Sequence, residues 1–112
     1  MIAVIFELWP TSKAAYFDLA AELRAELETL DGFISIERFQ SLADTDKYLS
    51  LSFWRDEASV REWRNRADHR NAQAQGRSGI LRDYRLRVAS VSRDYGMTER
   101  HEAPSDSCEV HG

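Results

Sequence analysis

Apolar and polar positions along the chain follow two periods, one typical of strands and one typical of helices. Residues 2–9 form a nearly continuous apolar run with a single charge, Glu7, which is typical of a strand buried on both sides or across an interface. Between residues 13 and 30, apolar side chains recur at i, i+3, i+4 and i+7, which predicts an amphipathic helix with one buried face. Gly32 can adopt the left-handed backbone conformation that ends such a helix.

The chain after residue 32 contains a hairpin and two further elements. Residues 33–40 and 47–54 each alternate and are joined by a short polar turn, which predicts an antiparallel hairpin. Residues 56–75 carry a thin apolar stripe at helical spacing, and residues 84–93 alternate as a fourth strand. The alternation changes phase at residues 88–90, which predicts either a bulge or a strand that leaves one sheet for another.

The order strand, helix, strand, strand, helix, strand predicts an α+β fold of the ferredoxin-like, split βαβ type. Such a four-stranded antiparallel sheet carries both helices on one face and leaves the other face bare. In a short chain only a second copy can cover that face, so we expect a homodimer. Residues 1–95 form the predicted domain, and the polar segment 96–112 is predicted to be disordered.

Composition sets further bounds on a chain of 112 residues with three Trp, four Tyr, five Phe and one Cys. This length suits one domain. Neither a signal peptide nor a membrane-spanning run is present, so we expect a cytoplasmic protein without a membrane partner. Because Cys108 is the single cysteine, an internal disulfide and a Cys-based zinc site are both excluded.

Charge is distributed unevenly. The formal net charge is -4, yet residues 55–87 contain nine Arg against five acidic residues. This segment is typical either of a solvated helix face with local pairs, such as Glu62 with Arg66, or of an anion-binding surface. An acidic chain does not favour nucleic acid as a partner.

Several segments together resemble the antibiotic biosynthesis monooxygenase family, over about residues 1 to 95. The segments that carry the resemblance are Gly32-Phe33, Tyr48–Trp54, Glu57-Ala58, Val60, Trp63-Arg64-Asn65, His69–Gln73 and Tyr84–Val88. The spacing of a strand Trp and a helix Trp nine residues later is its most distinctive part. The resemblance implies a dimeric α+β barrel, in which the bare sheet faces close on each other.

Members similar to this chain include monooxygenases that oxidise phenolic or anthrone-like substrates with O₂ and no cofactor, and others degrade heme. The heme-degrading relatives carry an Asn on the first strand, a Trp on the second helix and a His ten residues after it. Here Trp63 matches, whereas Glu7 and Gln73 occupy the other two positions. His69, one turn before Gln73, is a candidate displaced ligand. Heme therefore remains the alternative cofactor; otherwise we expect no cofactor and no metal site.

Oxygenation without a cofactor needs a base that converts the substrate to an electron-rich anion, and groups that stabilise it. The candidate bases are His69, which titrates near neutral pH, and Glu7, whose pKa burial would raise. The candidate substrate-binding residues are Trp54, Trp63, Arg66, Arg70, Gln73 and Tyr84.

Each candidate also has a structural interpretation. Trp63 lies on the apolar stripe of its helix as a core anchor, and Trp54 packs at a dimer interface. Glu7 pairs with an Arg across the sheet, such as Arg38 or one from the partner chain. Tyr84 is equally typical of a core residue. A third functional hypothesis is a non-catalytic module that binds a small ligand or serves a stress response.

Overall fold

The structure is a computed structural model that describes residues 1–66 and 79–107. Its elements follow the predicted order, with the first helix ending three residues earlier than its apolar period. They are β1 (Ile2–Pro10), α1 (Lys13–Leu27), β2 (Phe33–Gln40), β3 (Tyr48–Trp54), α2 (Glu57–Asn65) and β4 (Leu81–Ser90). The predicted continuation of the second helix beyond Arg66 lies outside the described residues.

The strands form one sheet in the order β2-β3-β1-β4, and each neighbouring pair is antiparallel. Both helices pack on the same face of this sheet. Two groups of buried residues make that contact: Ile2, Leu27, Leu30, Trp54, Val60 and Trp63 in one, and Leu8, Tyr16, Ala20 and Tyr48 in the other. The predicted ferredoxin-like α+β fold is confirmed. We call the opposite side of the sheet, which includes Ile5, Leu49 and Leu51, the uncovered face.

The pairing of β1 with β4 corrects one prediction. Their register runs without interruption from Ile2 opposite Ser90 to Trp9 opposite Asp83, and it shifts only at Pro10. The bulge predicted at residues 88–90 is therefore wrong, because the irregularity lies at the beginning of β4. The change of phase marks no break in the pairing: Ala89 lies opposite Ala3 on the uncovered face, where Ala89 is exposed.

A second irregularity sets the faces of β2. The register with β3 shifts between Phe33 and Ser35, and Ile34 lies within that shift, 53% exposed. Phe33 therefore shares the helix-facing side with Ile36 and Arg38. Strict alternation would have placed Phe33 on the opposite side from them.

The segment after β4 has local structure where the sequence predicts none. The Asp94 backbone N–H donates to Glu102 Oε2 over 2.6 Å, and Arg100 Nη1 donates to the Gly96 carbonyl over 3.2 Å. The Arg100 guanidinium also lies 5.3 Å from the Tyr95 ring centroid. The division of the chain at residue 95 stays a prediction. No described helix has the length and apolar composition needed to cross a bilayer.

Candidate functional site

A cavity of about 200 Å³ lies between the helix-facing side of the sheet and the two helices. It is smaller than the roughly 300–1,000 Å³ clefts that hold drug-sized ligands. Its walls are mostly apolar. The apolar lining residues include Val4, Phe6, Leu19, Leu23, Ile36, Trp54, Val60, Trp63, Ile80, Tyr84, Leu86 and Val88.

Two tryptophans make flat walls of this cavity. Trp54 is 2% exposed and packs edge-on against Phe33, with ring centroids 5.4 Å apart. Its indole N–H donates to Ser52 Oγ over 3.0 Å, so the buried polar atom is satisfied without a ligand. Trp63, from α2, is 9% exposed and belongs to the same core cluster. Each tryptophan is thus a core anchor and a cavity wall, and Trp54 lies on the opposite side of the sheet from the uncovered face.

Tyr84 also lines the cavity, as predicted for a substrate-binding residue. It lies on β4 opposite Leu8 and is 48% exposed. The Phe6 ring meets it edge-on, with centroids 5.6 Å apart and planes at 85°. This geometry holds the Tyr84 ring at the rim of the cavity.

Glu7 lies away from the cavity. It lies on the uncovered face, where its Oε2 is 3.6 Å from Lys47 Nζ and 3.5 Å from Arg87 Nη1. The predicted pairing with Arg38 is wrong, because Arg38 projects from the helix-facing side and side chains on opposite faces of one sheet do not meet. Glu7 nevertheless pairs with an arginine of a neighbouring strand, Arg87.

The structure gives Arg66 two carboxylate partners. Its Nη1 lies 3.2 Å from Glu26 Oε2, and its Nη2 lies 4.0 Å from Glu62 Oε1. The second contact is the predicted pair at i, i+4. These ion pairs occupy the guanidinium at the end of α2, and it is not among the residues that line the cavity.

Three sequence-predicted site residues, His69, Arg70 and Gln73, lie outside the described residues. Of the positions used by heme-degrading relatives, the structure therefore places Trp63 in the cavity wall and Glu7 on the other side of the sheet. Within residues 1–66 and 79–107, no group of three or more His, Cys, Asp or Glu side chains is arranged to hold a metal ion.

Five polar residues on the cavity wall were not predicted as site residues: Tyr16, Arg38, Ser50, Ser52 and Arg64. Arg38 Nε donates to the Tyr16 hydroxyl oxygen over 3.3 Å. Ser50 lies directly opposite Arg38 in the β2–β3 register and is 6% exposed. Alternation along each strand gave only a weak indication: it places Arg38 on the same side of β2 as Ile36, and Ser50 on the same side of β3 as Trp54. Only the strand register shows that these two sides belong to one face of the sheet.

Comparisons with known proteins agree with this architecture. The model of the family described as antibiotic biosynthesis monooxygenase matches residues 1–75. A protein named jasmonate monooxygenase ABM, from Pyricularia oryzae, is 49% identical over 94 residues, which are 82% of this chain and 44% of that protein. This chain thus spans less than half the length of that relative.

Solved structures with the same fold are more distant in sequence. The structure of Rv0793 from Mycobacterium tuberculosis superposes with a TM-score of 0.75 at 18% identity, covering 85% of this chain and 98% of that one. SnoaB from Streptomyces nogalater, described as a cofactor-independent oxygenase, superposes with a TM-score of 0.70 at 13% identity, covering 83% and 94%. With the family model covering most of the folded region, this chain belongs to the antibiotic biosynthesis monooxygenase family.

Proposed function

We propose that this protein is a monooxygenase that binds a small, mostly apolar organic molecule in the cavity and oxidises it with O₂. The observation that carries the proposal is the cavity itself, with Trp54 and Trp63 as flat walls and a few polar side chains in a mostly apolar lining. Such sites orient an apolar ligand through a few placed polar contacts. Family membership and the name of the fungal relative support the reaction class.

The proposed reaction uses no cofactor and takes an aromatic, quinol-like or anthrone-like substrate. A base removes a proton from an activated CH₂ group or from a phenolic hydroxyl, and the electron-rich carbon of the resulting anion transfers electrons to O₂. One oxygen atom becomes the new carbonyl oxygen and the other leaves as water, so the substrate supplies all four electrons. The description of SnoaB as a cofactor-independent oxygenase supports this scheme on the same fold.

Jasmonate, named in the fungal relative, is a second candidate substrate. It carries one CH₂ group beside a ring ketone, and the ketone acidifies the protons of that group. The same scheme of deprotonation followed by oxidation therefore applies to it. The proposal covers both substrate types, since each combines an apolar body with a carbon that deprotonation makes electron-rich.

The base in this proposal is His69. A histidine is the side chain suited to accept a proton near neutral pH. The other candidate, Glu7, faces Lys47 and Arg87 on the uncovered face. These ion pairs lie on the opposite side of the sheet from the cavity.

We also propose that the active form is a homodimer closed over the uncovered face. Apolar side chains of two central strands, including Ile5, Leu49, Leu51 and Phe53, lie on that face without a helix over them in the described part of the chain. Burying such a surface against a second copy is favourable because it removes apolar area from water.

The test is aerobic turnover of metal-free protein with isotopically labelled O₂. Anthrones, quinols and jasmonate form the panel, and mass spectrometry follows the label. We expect one labelled oxygen atom in the product. Leu86→Trp, which fills the cavity from a wall residue that is 49% exposed, should lower turnover about tenfold or more. Leu42→Trp makes the same chemical change at a fully exposed turn residue and should leave turnover unchanged.

The same experiment distinguishes the alternatives. If a panel compound binds and Leu86→Trp blocks the binding, while no labelled product forms, the result supports a non-catalytic binding module and contradicts the monooxygenase proposal. Turnover that requires added hemin contradicts the cofactor-free scheme.

A further inference from the structure

Arg38 places a partly buried positive charge in a mostly apolar cavity wall, whereas Arg64, the other arginine of that wall among the described residues, is exposed on α2. The β2–β3 register puts it on the helix-facing side, next to Ile36 along the strand and opposite Ser50. Its side chain is partly buried, and its Nε donates to the hydroxyl oxygen of Tyr16 over 3.3 Å. Tyr16 is itself buried, 6% exposed, in the cluster that contains Leu8. Arg38 is thus fixed by a neutral partner.

No carboxylate of residues 1–66 or 79–107 lies within ion-pair distance of Arg38. Arg66, at a similar depth, has both Glu26 and Glu62. Partial burial of a charged group is unfavourable unless other groups compensate for the lost water. A guanidinium that is held in place without a counter-charge is therefore suited to a ligand that brings one.

The hydrogen-bonding groups around Arg38 are predominantly donors. Its Nε–H is used, which leaves the N–H groups of Nη1 and Nη2 available. Because the Tyr16 oxygen accepts that bond, the Tyr16 hydroxyl proton is available to donate to a third group. The Ser50 hydroxyl, also on the cavity wall, can donate as well. We call Tyr16, Arg38 and Ser50 together the polar corner.

We propose that the polar corner binds a carboxylate of the substrate, while the apolar walls take its hydrocarbon body. The planar fork of an arginine matches a carboxylate through two parallel hydrogen bonds, which a single enolate or phenolate oxygen does not use fully. Arg38 is then a specificity-determining residue that selects acids over their neutral esters. This inference rests on the proposed function only in taking the cavity as the substrate site.

Calorimetric titration of the full chain with jasmonate and with methyl jasmonate tests the proposal without turnover. The two probes share one body and differ in the carboxylate. We expect the acid to bind about tenfold more tightly than the ester, as one charge-assisted pair supplies that difference. Arg38→Gln should reduce the preference to within about twofold while leaving ester affinity unchanged. Tyr16→Phe and Ser50→Ala should each reduce it partly, and Arg24→Gln, at an exposed position of α1 outside the cavity wall, should not.

Other outcomes overturn the inference in distinguishable ways. If both probes bind equally and Leu86→Trp blocks both, the cavity stands as the binding site and the carboxylate preference fails. If Arg38→Gln weakens acid and ester alike and lowers the urea midpoint, Arg38 has a structural role only. If neither probe binds, the inference fails for this ligand class, and turnover of the anthrone and quinol panel still decides the proposed function.

Discussion

At the scale of single residues, Gly32 shows how a conformational requirement and a packing requirement coincide. Its φ is +88°, a region that disfavours side chains. Its carbonyl accepts a hydrogen bond from the Arg55 backbone N–H over 2.7 Å. A Cβ at this position would overlap the Ser59 hydroxyl and lie 2.7 Å from Ser59 Cβ. The turn into β2 and the first turn of α2 therefore approach each other through a residue without a side chain.

Gly32→Ala should lower the free energy of unfolding by about 1–3 kcal/mol, because the added methyl is strained in φ and collides with Ser59. Urea unfolding followed by circular dichroism measures the change. The matched control is Gly96→Ala, since a Cβ at Gly96 meets nothing within 4 Å; it should change stability by less than about 0.5 kcal/mol. Equal stability of the two variants would contradict this account of the junction.

At the scale of elements, α2 depends on its first turn. Asp56 is its N-cap, and its Oδ1 accepts from the Ser59 backbone N–H over 2.9 Å and from the Ser59 hydroxyl over 2.8 Å. These two bonds, with a smaller contribution from Arg55, lower the pKa of Asp56 from 3.8 to about 2. The cap matters for the cavity because α2 supplies Val60 and Trp63 to its wall.

A depressed carboxyl pKa makes a pH-dependent contribution to folding. The ionised cap stabilises the native state at pH values above about 4, and that stabilisation is lost as the pH falls toward about 2. Asp56→Asn keeps an acceptor without the charge, so it should be less stable than the parent chain at neutral pH. The difference should shrink between these two pH values. Urea midpoints measured across that range check the prediction.

Ser59→Ala serves as the second variant, because it removes the hydrogen bond that contributes most to the shift. Its stability should depend less on pH in the same window. A constant gap between the parent chain and Asp56→Asn down to the acid limit would contradict the assignment of the lowered pKa to this cap.

At the scale of the whole molecule, the two sides of the sheet have different roles. The helix-facing side encloses the cavity, whereas the uncovered face presents apolar side chains with Glu7, Lys47 and Arg87 beside them. The radius of gyration is 16.4 Å, larger than the about 13 Å of a compact domain of similar size. A sheet with one uncovered apolar face suits association through that face.

Leu51→Asp tests this association at the centre of the uncovered face, where Leu51 lies opposite both Ile5 and Glu37. A buried unpaired charge should weaken the dimer about tenfold or more. Sedimentation velocity should show the parent chain near twice its 12.9 kDa mass and the variant shifting toward one copy. Leu42→Asp makes the same chemical change at a fully exposed turn residue and should remain dimeric. A folded Leu51→Asp variant that stays dimeric would contradict the proposed interface.

The sequence by itself determined the element order and the fold class, because the periods of 2 and 3.6 and the polar turns are local properties of the chain. The same local signals identified Trp54, Trp63 and Tyr84 as large aromatic side chains on regular elements, and all three line the cavity. Local pattern also indicated the left-handed conformation of Gly32, which the structure confirms.

Only the tertiary structure decided which side of each strand faces the helices. The shift at Ile34 places Phe33 and Arg38 on one side, and the β1–β3 pairing places Glu7 on the other. A shift of one residue in register exchanges the two faces of a strand, and alternation alone does not carry that information. For this reason the sequence suggested Glu7 as a site residue, whereas the register brought Tyr16, Arg38 and Ser50 together at the cavity.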